Sequence, residues 1–233
     1  MIAVCVWIKI TFSVPKGLSV SVSVFERVRD FVSLLLSDHE NDSDPIWDEK
    51  NAKWYAEKYG DHISNPITIR NANLNKDDHL LDIGCGTGTA CREAAKIITH
   101  GTIIGMDPTP TMILIAKEQT SNAIHNIEFV RGSVEDLPIE SNAKTICTAI
   151  NSLHHWNDYQ KGLAEILRVL KPQGRFIVSD EIVSGNSCGH GEGALANPTN
   201  VSYEIEKAGF SNVKLETYEE NGDEIYLFRA EKL

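Results

Sequence analysis

The chain has 233 residues, which is enough for one α/β domain with a helical appendage and too few for two large domains. Lysine and arginine number 22 against 33 aspartates and glutamates, so the formal net charge is −11. Nucleic-acid binding draws most of its affinity from lysine and arginine contacts to phosphate, and this balance therefore argues against a nucleic-acid partner.

The chain begins with a segment unlike the rest. Residues 1–46 are predicted to form an N-terminal extension or arm, and residues 47–233 the main domain. The apolar stretch 1–14 is too short to span a bilayer and lacks the basic start of a signal peptide. Apolar residues at helical spacing predict an amphipathic helix over 25–36. A packed extension is the preferred interpretation, with a membrane contact through residues 1–36 as the alternative.

Two helices are predicted next. The stretch 47–59 has helical spacing, and Asn65-Pro66 starts a second, short helix with proline in its first turn. Together with 25–36, these helices predict an N-terminal helical extension of the fold. The first is rich in aromatic residues, which would either form a lid over a ligand or simply pack the helix: Trp47, Trp54, Tyr55 and Tyr59.

Beyond residue 78, short apolar runs alternate with amphipathic segments. Continuous apolar strands separated by helices predict an α/β fold with a Rossmann-like, mostly parallel, doubly wound sheet. The last two runs flank Asn221-Gly222, which predicts an antiparallel C-terminal hairpin. The predicted strands are His79–Ile83, Thr102–Asp107, Ile127–Arg131, 145–150, 175–180, 213–219 and 224–230, and the helices between them are 89–99, 111–121 and 158–170.

A glycine-rich loop follows the first predicted strand. Gly84, Gly86 and Gly88 lie between this strand and a helix, which is where an α/β sheet binds a nucleotide-like ligand. Glycine permits a tight turn there and lets the backbone approach the ligand, which a Cβ atom would block. Asp82, at the end of the strand, makes the signal more specific.

Two kinds of cofactor compete for this loop. A dinucleotide places a pyrophosphate at the helix N-terminus and normally needs G-x-G-x-x-G, whose third glycine is replaced here by Thr89. The Asp82 carboxylate would repel that pyrophosphate, whereas it would attract the ammonium and sulfonium groups of S-adenosylmethionine. The charge therefore favours S-adenosylmethionine, and an NAD(P)-binding oxidoreductase stays as the alternative.

Asp107 ends the next predicted strand. A βαβ unit would place this carboxylate beside the ribose, where it accepts hydrogen bonds from both hydroxyl groups. Because S-adenosylmethionine and NAD(P) both contain a ribose, Asp107 indicates a nucleoside cofactor but does not distinguish between the two.

Five segments together resemble a known family. The sequence is similar to the class I S-adenosylmethionine-dependent methyltransferases, and in particular to their small-molecule branch, which includes the ubiquinone/menaquinone-biosynthesis methyltransferases. The resemblance covers 47–181 well and the remainder by topology. The matching segments are 80–88 (LLDIGCGTG), 105–112 (GMDPTPTM), 132–138 (GSVEDLP), 153–156 (LHHW) and 167–174 (LRVLKPQG).

The resemblance implies a role for each matched position. Ser133 stands where the family often has aspartate, which implies weaker recognition of the adenine amino group or recognition by the serine hydroxyl. Gln173 replaces a glycine that is usual in the helix-to-strand turn. The other implied contacts are Asp82, Gly84, Gly86 and Gly88 to the methionine part, Asp107 to the ribose, Pro108, Met112 and Val134 to the adenine, and Asn151 near the sulfonium.

The predicted reaction is transfer of a methyl group from S-adenosylmethionine to a small-molecule acceptor through an O, C, N or S atom. Because this is an in-line displacement, alignment matters most and a base is optional. His154, His155 and Asp180 are candidate bases, although packing of the loop against the cofactor is the preferred role of the two histidines. A non-catalytic, cofactor-binding partner subunit is a further alternative.

The cysteines give the remaining prediction. They are odd in number, scattered and without a CxxC pair, so we expect no disulfide framework and no metal site. A reducing cytoplasm suits this pattern best. The five are Cys5, Cys85, Cys91, Cys147 and Cys188.

Overall fold

The computed structural model describes residues 47–180, 197–220 and 223–233. The predicted N-terminal arm, its helix over 25–36 and the Asn221-Gly222 turn lie outside these residues. The division of the chain at residue 46 therefore stays a prediction. No helix within the described ranges is both long and apolar enough to cross a membrane.

A seven-stranded sheet forms the centre of the fold. The strand order is β3-β2-β1-β4-β5-β7-β6; strands β1 to β5 pair in parallel, and β7 pairs antiparallel with both β5 and β6. This confirms the predicted mostly parallel sheet with an antiparallel C-terminal hairpin. The strands are β1 His79–Ile83, β2 Thr102–Asp107, β3 Ile127–Arg131, β4 Lys144–Ile150, β5 Leu170–Asp180, β6 Ser211–Glu220 and β7 Asp223–Glu231.

Helices cover both faces of the sheet. Successive strand residues point to opposite faces, so Leu80 belongs to one apolar cluster and Leu81 to the other. The Leu80 cluster includes residues of α2, α3 and α4, and the Leu81 cluster includes residues of α5 and α6. The sheet is therefore doubly wound, as predicted. The helices are α1 Glu49–Tyr59, α2 Ser64–Asn71, α3 Thr89–Ala95, α4 Pro110–Gln119, α5 Tyr159–Val169 and α6 Pro198–Lys207.

The predicted turn between the fifth helix and the fifth strand is shorter than expected. Strand β5 starts directly at Leu170, which pairs with Lys144, so the helix ends at Val169. Gln173 adopts φ +65°, a conformation that glycine reaches without strain. Its backbone N–H donates to the Lys232 carbonyl at 2.7 Å, which holds the turn against the C-terminus.

Helix α6 was not predicted. Asn197 caps its N-terminus by accepting from Asn200 N at 2.9 Å, and Pro198 occupies the first helical position. Val201 and Ile205, four residues apart, are its buried residues. These start signals and this spacing are present in the sequence, but the helix has few apolar positions.

Strand order places the ligand site. Strand β1 lies between β2 and β4, so the connections leaving β1 and β4 turn to opposite sides of the sheet. In an open α/β sheet this reversal leaves a crevice beyond the carboxyl ends of the strands. The glycine loop after β1 and the ends of β2 and β4 all open onto it.

Candidate functional site

The glycine loop is tied to the end of β2. The backbone N–H groups of Gly84 and Cys85 both donate to the Met106 carbonyl, at 2.8 and 2.9 Å. Gly84 has φ +69°, and a Cβ there would lie 2.5 Å from the Ser152 side chain. A side chain at Gly84 would therefore be strained and would collide with the segment after β4.

Gly86 and Gly88 serve different purposes. At Gly88, with φ +79°, a Cβ would come within 2.6 Å of the Phe129 ring, so this glycine is needed for packing. At Gly86, with φ +51°, a Cβ would meet nothing within 4 Å. Gly86 lines a cavity of about 980 Å³ that is partly open to solvent. The open backbone at Gly86 is what close approach of a ligand requires.

Asp107 lies in the wall of this cavity and is 7% exposed. Its Oδ2 accepts from Gly86 N at 3.0 Å and its Oδ1 from Thr109 N at 2.9 Å, which fixes the carboxylate between two loops. Burial raises the pKa of Asp107, and these backbone N–H groups partly offset the rise. Each oxygen retains a further lone pair for a donor such as a ribose hydroxyl.

Asp82 is oriented differently from the sequence-based expectation of direct contact. Its carboxyl is fully buried, with Thr148 donating to Oδ1 at 2.6 Å and the Cys91 thiol donating to Oδ2 at 3.5 Å. Burial raises its pKa to about 6. Asp82 and Gly88 are not among the residues that line the cavity. The structure therefore places Asp82 beneath the glycine loop, and its action on a ligand stays a prediction.

The segments after β2 and β3 form another part of the wall. The cavity is lined by the four residues that the resemblance places near the adenine: Pro108, Met112, Ser133 and Val134. The Ser133 hydroxyl donates to the carboxylate of Glu135, a lining residue that the sequence interpretation missed. With its proton directed to that carboxylate, the Ser133 oxygen is left as an acceptor.

Asn151 lies at the end of β4 with φ +47° and lines the cavity. Its Nδ2 donates to Ser64 Oγ at 3.0 Å, which fixes the amide against the start of α2. Its Oδ1 is buried and has no hydrogen-bond partner within the described residues. An unpaired buried acceptor is costly, and a ligand donor at this wall would remove that cost.

The three candidate bases separate into two groups. His155 lines the cavity, and its ring lies edge-on to Trp47 with centroids 5.7 Å apart. His154 Nδ1 lies 2.9 Å from Asp180 Oδ2, and neither residue is among the lining residues. The His154 and His155 rings are 4.1 Å apart, so the Asp180 pair abuts the lining histidine.

Aromatic residues in α1 and just before it reach the same cavity. Trp47, Tyr55 and Tyr59 line it, with centroids 4.3 Å apart for Trp47 and Tyr55 and 5.0 Å for Tyr55 and Tyr59. Trp54 is 55% exposed and packs beside Lys58 outside the cavity. The lid alternative therefore fits three of the four aromatics.

The link between α1 and α2 also contacts the start of α3. The hydroxyls of Thr87 and Thr89 both donate to the Gly60 carbonyl, at 3.0 and 2.8 Å, and Thr89 Oγ1 lies 3.2 Å from Asp61 Oδ1. A carbonyl and a carboxylate thus occupy the helix N-terminus where a dinucleotide would place its pyrophosphate. The sequence interpretation missed this contact because it joins positions far apart in the chain.

The described residues contain no cluster of side chains suited to binding a metal ion. Within 47–180, 197–220 and 223–233, no group of three or more histidine, cysteine, aspartate or glutamate side chains could hold a metal ion. Three cysteines in these ranges, Cys85, Cys91 and Cys147, are free and buried.

Comparison with known families decides the class of the domain. A family profile described as "Methyltransferase domain" matches residues 81–178, which include the glycine loop, Asp107, the end of β1 and strands β2 to β4. Residues 81–178 are a methyltransferase domain. The predicted resemblance to class I methyltransferases of the small-molecule branch is thereby confirmed at the level of the domain.

Relatives of the methyltransferase domain have different named activities. The chain is 33% identical over 114 residues to "Ubiquinone/menaquinone biosynthesis C-methyltransferase UbiE" of Francisella tularensis subsp. novicida, covering 48% of this chain and 46% of the relative. It is 28% identical over 144 residues to "O-methyltransferase cnsE" of Penicillium expansum, covering 61% and 51%. The chain thus spans about half the length of the curated relatives it matches.

A solved structure supports the fold of the domain. The SAM-dependent methyltransferase from Aquifex aeolicus superposes with a TM-score of 0.66 at 18% identity, over 80% of this chain and 100% of that chain. At this identity the likeness concerns the fold, which confirms the Rossmann-like class.

Proposed function

We propose that the chain transfers a methyl group from S-adenosylmethionine to a small-molecule acceptor. The observation on which this proposal mainly depends is the cavity beside the methyltransferase domain's glycine loop, with Asp107 in its wall. Relatives named as C- and O-methyltransferases support the reaction class and leave the acceptor atom open.

The residues of the cavity fit this cofactor better than a dinucleotide. Gly86 leaves its backbone open to a ligand, and Asp107 offers two acceptor oxygens to a ribose. The α3 N-terminus, by contrast, is already covered by the Gly60 carbonyl and the Asp61 carboxylate, which would repel a pyrophosphate. The oxidoreductase alternative is therefore disfavoured.

S-adenosylmethionine, when bound, supplies an electrophilic methyl group on a positively charged sulfur. The chain's own residues would then orient the two reactants and exclude water, since the reaction needs alignment above all. Asn151 and Asp107 would position the cofactor, and the rings of Trp47 and Tyr55 would shield the acceptor. Where the acceptor must lose a proton, His155 is the candidate base, with the His154–Asp180 pair behind it.

Three buried free thiols agree with a reducing compartment, and we extend the proposal to the cytoplasm on that basis. The acidic net charge of −11 supports a small molecule rather than RNA or DNA as the acceptor.

A labelled-methyl assay tests the proposal. The protein is incubated with methyl-labelled S-adenosylmethionine and separate pools of quinols, phenols, amines, thiols and RNA. We expect label in at least one small-molecule pool and none in RNA. Asp107→Ala should lower the affinity for S-adenosylhomocysteine at least tenfold, about 1.4 kcal/mol, whereas Asp136→Ala, an exposed aspartate outside the cavity, should not change it.

Two results would contradict the proposal. Label found only in RNA would show that the acceptor class is wrong. Cofactor binding without transfer to any pool would instead favour the non-catalytic partner subunit.

A further inference from the structure

Negative charge predominates in the cavity wall. Among the lining residues of the described structure, the carboxylates Asp107 and Glu135 are the charged side chains, and lysine and arginine are absent. An anionic ligand would therefore meet two carboxylates and no opposite permanent charge among the lining residues that the structure describes.

Two histidines also line the cavity, His62 and His155. The Nδ1 of His62 accepts from the Ser64 backbone N–H at 3.3 Å, an arrangement that requires this nitrogen to be unprotonated.

The cavity wall also offers aromatic surface to a second ligand. Trp47 and Tyr55 pack edge to face at 4.3 Å, the His155 ring lies 5.7 Å from Trp47, and Trp156 also lines the cavity. Rings at these separations favour a flat apolar or aromatic body through edge-to-face and stacked contacts.

The charge of the bound cofactor further limits which methyl acceptors can bind beside it. S-adenosylmethionine carries one carboxylate, one ammonium and one sulfonium, so its single net positive charge balances only one of the two carboxylates, Asp107 and Glu135. An anionic acceptor would therefore add to a remaining negative charge in a partly dry crevice, where repulsion between like charges is strong. A protonated amine would lack the lone pair needed for attack and would approach a positive sulfonium.

Resting on the proposed methyl transfer, we propose that the acceptor is an uncharged molecule with a flat aromatic or apolar body, and that molecules with a carboxylate or phosphate are rejected. The test uses two compounds of matched shape, 3-hydroxybenzamide and 3-hydroxybenzoate. Each is titrated at pH 8 into the 233-residue chain saturated with S-adenosylhomocysteine, and binding is followed by calorimetry.

We expect the neutral amide to bind at least ten times more tightly than the anion. Equal binding, tighter binding of the anion or binding of neither compound would overturn this inference. The preceding titration with S-adenosylhomocysteine alone tests the proposed function separately. If S-adenosylhomocysteine does not bind, the proposed cofactor is wrong; if it binds but the protein shows no preference for the amide, only the proposed acceptor class is wrong.

A charge introduced into the wall sharpens the experiment. Asn65→Lys places a cation among the lining residues and should reduce the preference for the amide to less than threefold. Gln160→Lys adds the same charge on the exposed side of α5 and should leave the preference unchanged. Glu135→Gln removes a lining carboxylate without adding bulk and should also reduce the preference for the amide over the benzoate. An unchanged preference in both Asn65→Lys and Glu135→Gln would contradict the charge argument.

Discussion

The Asp82 carboxyl lies in the protein interior, next to a second buried carboxyl, and its titration should be visible in the stability of the fold. Burial raises its pKa from 3.8 to about 6, with a smaller contribution from the charge of Asp107. A pKa that is higher in the folded state means that folding favours the protonated carboxyl. The contribution of Asp82 to stability is therefore fully present below pH 4 and is lost as the pH rises through about 6.

The substitution Asp82→Asn isolates this effect, because the amide retains the shape of the side chain and an oxygen that can accept from Thr148. A pKa shift of roughly two units corresponds to about 3 kcal/mol. We expect the variant to match the wild type in stability near pH 4 and to exceed it by up to about 3 kcal/mol at pH 8. Urea unfolding at pH 4, 6 and 8 measures this difference.

Asp78→Asn is the control, because its expected effect on the free energy of unfolding at pH 8 has the opposite sign. Burial raises the pKa of Asp78, but hydrogen bonds from Asn75 N, Thr145 and Arg175 outweigh it and lower the pKa overall. The ionised form therefore stabilises the fold, so this variant should be less stable than the wild type at pH 8, with the deficit shrinking as the pH falls below the ordinary aspartate range. A stability difference for Asp82→Asn that is constant with pH, or a loss of stability at pH 8, would refute the burial argument.

The remaining predictions separate stability from ligand binding. Gly88→Ala should destabilise the fold by about 3 kcal/mol, measured by urea unfolding, because its Cβ would lie 2.6 Å from the Phe129 ring. Gly86→Ala should cost only about 1 kcal/mol of backbone strain and should mainly lower the affinity for S-adenosylhomocysteine in calorimetry; a loss in stability equal to that of Gly88→Ala would contradict this. Arg175→Ala removes a 2.6 Å ion pair with buried Asp78 and should cost about 3 kcal/mol without changing that affinity, since neither residue lines the cavity.

Much of the sheet was predictable because its central strands, such as β1 and β4, are buried on both faces. Continuous apolar runs gave β1, β2 and β3 with the observed limits and the other strands to within a few residues, apart from the early start of β5. The glycine loop was predictable because Gly84, Gly86 and Gly88 all adopt positive φ, a backbone conformation that glycine reaches without strain.

The site was less predictable, because its walls come from distant parts of the chain. That Asp82 turns toward Thr148 and Cys91 depends on β4 and α3 packing around it. That Gly60 covers the start of α3 depends on the path of the chain after α1. Neither contact can be inferred from the spacing of residues along the sequence.

The binding preference of the unmodified protein tests the central claim most directly. S-adenosylhomocysteine and NAD are titrated separately into the wild-type chain by calorimetry. We expect S-adenosylhomocysteine to bind with a dissociation constant on the order of micromolar, about −8 kcal/mol, and NAD to produce no binding heat. Binding of NAD, with none of S-adenosylhomocysteine, would contradict the assignment of this cavity to a phosphate-free, methyl-donating cofactor.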